Sequence, residues 1–140
     1  MHLSSSDRKL DTPQANAGRY PYMVAITDYA GLYCGGVLIS DDMVLTAAHC
    51  GDGKQVVRFL VGTSSLSRGG EMLFPRMGWM HPQYNSVNMM NDVMLYWLER
   101  PASMGVNVGL VTLNDDSRVP SRMGDRLVAM VSLNIVIAHL

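Results

Sequence analysis

The chain has 140 residues, enough for one domain that buries a substantial core without metals or many cross-links. Hydrophobic residues make up 48% of it and charged residues only 16%, which excludes an intrinsically disordered chain. A formal net charge of -1 excludes broad electrostatic attraction to nucleic acid or to an anionic membrane, because both need clustered Lys and Arg.

Residues 1–17 are polar, rich in Ser, Asp, Asn and Gln, and show neither helical nor strand periodicity, so they are expected to form a flexible, disordered leader. They contain no apolar run of signal-peptide length. Order is expected from Gly18 onward, where Pro21 introduces an extended segment, 23–26. Strands are then predicted over 32–39, 43–46, 56–61, 72–80, 92–98, 108–113 and 126–131, with Gly, Pro, Asn and Asp punctuating the gaps. Only 47–51 reads as a single helical turn. Short strands at such regular spacing predict an all-β antiparallel barrel or sandwich. The tail, 131–140, is apolar but too short to span a bilayer as a helix.

The side-chain inventory is sparse in metal and redox signals. Two cysteines, Cys34 and Cys50, allow one disulfide or two buried thiols, and they lack the Cys-x-x-Cys spacing of a zinc or redox motif. No cofactor and no metal is expected. The twelve methionines, many of them near 72–94, could be a copper-binding cluster, but thioethers filling irregular gaps in a core are the expected use. Ile135-Val136-Ile137 in the tail would either cover part of an apolar face or form an exposed, aggregation-prone strand.

One stretch carries a specific signal. Val44-Leu45-Thr46-Ala47-Ala48-His49-Cys50, preceded by Cys34-Gly35-Gly36-Val37-Leu38-Ile39, resembles the histidine motif of the trypsin/chymotrypsin family of serine proteases. Asn91-Asp92-Val93-Met94-Leu95 resembles the surroundings of that family's aspartate. Its flanks, His81-Pro82-Gln83-Tyr84-Asn85 and Leu98-Glu99-Arg100-Pro101-Ala102, add to the likeness. Taken alone, Asp92 reads equally as a turn residue, and His49 as a structural one. The resemblance runs from Gly18 to about Met130. It implies the first six-stranded antiparallel barrel of a two-barrel fold, complete or incomplete, occupying 18–130 and followed by an unrelated tail over 131–140. It also implies a Cys34–Cys50 disulfide, which closes a loop of about 15 residues worth roughly 3 kcal/mol, and with it an oxidising, extracellular location.

The chemistry implied by the resemblance is peptide hydrolysis, with protein or peptide substrates, His49 as general base and acid, and Asp92 orienting it. His81 would be a loop residue in this scheme; His2 and His139 have no context suggesting a role. The sequence departs from the family in three ways. No Gly-Asp-Ser-Gly-Gly occurs, so the nucleophile, its oxyanion donors and the substrate side-chain pocket have no counterpart, and Ser132 has no such context. Lys9-Leu10-Asp11-Thr12 stands where an Ile-Val-Gly-Gly activation sequence is expected, and the aspartate which that new terminus would pair with is missing. After Met130 the chain continues Val131-Ser132-Leu133 instead of Gly-Trp-Gly, which suggests an unspliced intron, a frameshift or an evolved truncation. The expected function is therefore serine endopeptidase by family with negligible activity in this polypeptide alone; the alternative is a non-catalytic homologue that binds or decoys other proteins.

Overall fold

The computed structural model describes residues 18–55, 58–116, 128–132 and 135–139. The expected leader and Lys9-Leu10-Asp11-Thr12 lie outside the described residues. The strands are β1 (Met23–Asp28), β2 (Gly31–Ser40), β3 (Met43–Thr46), β4 (Arg58–Val61), β5 (Glu71–Leu73), β6 (Pro75–Met80), β7 (Met94–Leu98), β8 (Val128–Ser132) and β9 (Ile135–His139). A 3-10 turn over Ala48–Cys50 is the helical turn expected at 47–51.

The first seven strands form one antiparallel sheet in the order β5-β4-β1-β2-β3-β7-β6. Its two outermost members, β5 and β6, are separated in the chain by Phe74 alone. Counting them as one bent strand, which pairs with β4 on one side and with β7 on the other, turns the open list into a six-membered ring. The bend is held by the Glu99 amide donating to the Phe74 carbonyl at 2.9 Å. Closure removes the unpaired edges that would otherwise invite another chain. The expected all-β, six-stranded barrel is present; β8 and β9 form a separate antiparallel hairpin.

Period-two alternation points one face of each strand inward. Val24 and Ile26, Cys34 and Leu38, Val44, Phe59 and Val61, Leu73, and Met94, Tyr96 and Leu98 are all buried in a single cluster. The Phe59 and Tyr96 rings meet with centroids 5.3 Å apart. A smaller cluster on the outer face of β1 to β3 centres on Tyr22 and Val37, with Met23, Ile39, Leu45 and Val111 against it.

Three expectations need correction. The predicted strand over 108–113 is not a strand: the Gly109 amide donates to the Pro21 carbonyl and the Val111 amide to the Leu38 carbonyl, both at 2.9 Å, and isolated bonds of this kind make no ladder. The strand predicted from Asp92 starts at Met94, because the preceding residues turn away from the sheet. The methionines are not mainly core fillers. Met94 is buried, but Met72, Met77, Met89, Met90 and Met104 are exposed, on outward strand positions and in loops.

Phe59 is completely buried and is among the largest such side chains, so it tests whether the ring behaves as one cooperative unit. Phe59→Ala should cost about 3–5 kcal/mol, read as a fall in the urea midpoint without loss of a single transition.

Candidate active site

The β3–β7 register brings the sequence-predicted residues together. Thr46 pairs with Met94 at the ends of these two strands, so His49, three residues beyond one, and Asp92, two residues before the other, emerge at the same rim. The end of β3 is fixed from beneath: buried Thr46 donates its Oγ1 proton to the Gly35 carbonyl at 2.8 Å. That approach needs a residue without a side chain beside it. A Cβ at Gly36 would lie 2.8 Å from the Leu45 carbonyl oxygen.

The chain then turns through Ala48–Cys50. Ala48 is fully buried, so a larger side chain would push the turn, and His49 with it, outward. Cys50 is bonded to Cys34 of β2, with the two Cα atoms 6.1 Å apart, so the turn is stapled to the barrel wall. This is the pairing the resemblance implied.

On the other side, Asp92 is aimed by an unusual backbone. Asn91 has φ of 56° and Met89 of 59°, left-handed conformations that asparagine tolerates better than most residues and methionine does not favour. Asn91 Nδ2 donates to the Gln83 carbonyl at 3.0 Å, and the Val93 amide donates to the Asn91 carbonyl at 2.8 Å. Asn85 receives the amides of Val87 and Asn88 on its side-chain oxygen and closes the loop by bridging to Met90. In the sequence Asn91 reads only as a flank of Asp92; an Asn immediately before an acidic residue at a strand entrance is the available signal for this turn.

The carboxylate of Asp92 grips His49 twice. Oδ1 accepts the His49 backbone amide at 2.8 Å, and Oδ2 lies 2.6 Å from ring Nδ1. The side chains are 29% and 22% exposed for His49 and Asp92, so the pair is sheltered but open to solvent on one side. Partial burial opposes ionisation of Asp92. The hydrogen bond from the His49 ring, the His49 amide, the charge of His49 and the Ala48 amide together outweigh it and hold the carboxyl below its ordinary value. An ionised Asp92 accepts a proton-bearing Nδ1, which leaves Nε2 as the nitrogen free to take up a proton.

Of the other histidines, His81 is not part of this group. His81 directly follows β6, its Nδ1 accepting the Gln83 amide at 3.1 Å and its ring edge-on to Trp79. His2 is outside the described residues, and His139 lies on β9. Among the described residues no helix is long and apolar enough to cross a membrane.

A family model described as Trypsin matches residues 10–131. Similar proteins include trypsin-4 of Rattus norvegicus, 39% identical over 66% of this chain and 38% of the relative. A vitellin-degrading protease of Bombyx mori is 34% identical over 71% of this chain and 39% of its own length. Kallikrein-7 of Homo sapiens is 32% identical over 85% of this chain and 44% of its own. This chain therefore spans about two fifths of the length of the relatives it matches.

The double grip of Asp92 on His49 predicts a pH-dependent contribution to stability. Because the folded-state pKa lies below the unfolded value of about 3.9, the carboxylate stabilises the fold above that value, and the contribution is lost as pH falls through the folded pKa. Asp92→Asn should lower the urea midpoint at neutral pH, and the gap from the parent chain should close on acidification.

Proposed function

The chain belongs to the trypsin family, and from that membership we propose that His49 and Asp92 are the proton-handling part of a serine-peptidase catalytic triad. The single observation that carries the reading is the carboxylate of Asp92 bound to both the backbone amide and the Nδ1 of His49. In this arrangement the carboxylate fixes the tautomer and orientation of the imidazole. Nε2 then takes the proton of an attacking hydroxyl and later returns it to the leaving amine. The substrates are proteins or peptides.

We propose further that this polypeptide alone does not hydrolyse peptides. It contains no Gly-Asp-Ser-Gly-Gly, the sequence that would carry the nucleophile and its oxyanion donors. Among the described residues no hydroxyl is hydrogen-bonded to His49. Peptidases that lose one triad member keep about 10³- to 10⁴-fold catalysis over water, but that residue depends on the oxyanion hole and on substrate binding. General-base assistance by itself is worth about 10²- to 10⁴-fold, and only for a substrate that is held in place. On this reading residues 18–130 are the family lobe, 131–140 a tail foreign to it, and the Cys34–Cys50 bond fits secretion.

A non-catalytic protein-binding role is the second reading. It is favoured by the apolar strip on the outer face of β6, where Met77 and Trp79 are about half exposed and pair with Trp97 and Leu95 of β7.

A serine-directed phosphonate probe and a casein-hydrolysis assay on the purified 140-residue chain test the inactive assignment. No labelling and no turnover above buffer are expected. Labelling that disappears in His49→Ala would show that a nucleophile is present after all and would overturn the inactive assignment.

A further inference from the structure

Cys34, Cys50 and His49 form a donor set of a different kind from the His49–Asp92 pair. One ligand-capable atom from each lies within 4.8 Å of the other two. We infer that reduction of the Cys34–Cys50 bond converts this corner of the barrel into a site for a divalent transition metal, held by two thiolates and one imidazole nitrogen.

The geometry and the donor chemistry both support the assignment. Two thiolates and an imidazole are a zinc-type set, with metal–ligand distances of about 2.3 and 2.0 Å, which puts tetrahedral ligands about 3.5–3.8 Å apart. The bonded sulfurs lie closer together than that and must part after reduction, while the imidazole nitrogen, within 4.8 Å of both, exceeds it by about 1 Å at most; side-chain rotation makes both adjustments. The two cysteine Cα atoms are already held on adjoining segments, β2 and the 3-10 turn that follows β3. The sulfurs belong to buried residues, Cys34 3% and Cys50 0% exposed, while the His49 side chain is 29% exposed, so an ion enters from the imidazole side. With Nε2 as the ligand atom, the Asp92 carboxylate at Nδ1 supplies the acceptor that commonly orients a metal-bound imidazole. A solvent molecule completes the fourth position.

The conversion balances with a phosphine as reductant. The phosphine donates two electrons to the disulfide and becomes the phosphine oxide; water supplies its oxygen and the two protons of the new thiols. The ion then displaces both thiol protons, releasing two per metal bound. The metal-bound state occupies the same imidazole that the triad reading needs free. The inference nonetheless stands without that reading, because its measurement is metal binding and not catalysis.

The test uses the full chain, reduced with a phosphine, desalted without oxygen and titrated with Co²⁺. One equivalent should produce a thiolate-to-cobalt charge-transfer band with the visible bands of a tetrahedral ion, and Zn²⁺ should bleach both. The oxidised chain should show neither. His49→Ala should weaken binding at least about tenfold, and Asp92→Asn about 10- to 100-fold, as expected for loss of an outer-shell partner. Absence of the charge-transfer band overturns the inference. So does equal affinity in His49→Ala, which would mean that thiols of a loosened chain bind without the folded site; circular dichroism of the reduced chain, recorded alongside, shows whether that has happened.

Discussion

The structure depends on the closure of one bent strand onto both ends of a sheet. Residues 71–80 pair with β4 before Phe74 and with β7 after it, and this double use makes the ring. A strand register is all-or-none on a surface with one buried face, since a slip of one residue exchanges inside for outside. With Leu73, Phe59, Met94 and Tyr96 all committed to the interior, the β3–β7 register is fixed. The meeting of His49 with Asp92 at the rim is then a consequence of where those two strands end.

That meeting is also an electrostatic solution to burial. A carboxylate removed from water loses solvation, and the cost is offset only by donors held in place. The Asp92 carboxylate has the His49 amide, the His49 ring and the Ala48 amide, all carried by one short turn. The turn is in turn stapled through Cys50 and packed through Ala48, neither of which leaves it room to relax. On the proposed function, the rigidity serves the chemistry: an imidazole whose tautomer and direction are set in advance loses little entropy when it handles a proton. The same rigidity suits a metal ligand, so one corner of the barrel supports both the triad reading and the reduced-state metal site.

The apolar surface is distributed less conventionally than the core. Met77 and Trp79 on β6 and Leu110 and Leu113 beyond the outer cluster are substantially exposed, while the outer face of β1 to β3 is partly covered by the segment carrying Val111. The barrel thus has a filled interior and an incompletely covered exterior, a distribution on which the protein-binding reading draws.

The amino-acid sequence alone determined the strand-rich class, the family likeness that singles out His49 through the residues around it, and the small residues that its turn demands. These are local matters: alternation, turn chemistry and a run of adjacent side chains carry them. Apart from the family likeness of its flanks, nothing in the sequence separates Asp92 from an ordinary turn residue, since the role of a carboxylate lies in the donors it meets, here 43 positions away in the chain. Nor could it tell that residues 72–80 bend at Phe74 to close a ring, or that 108–113, apolar and alternating, makes only single bonds to Pro21 and Leu38. A strand is defined by its neighbours' hydrogen bonds, and those neighbours are chosen only when the whole sheet folds.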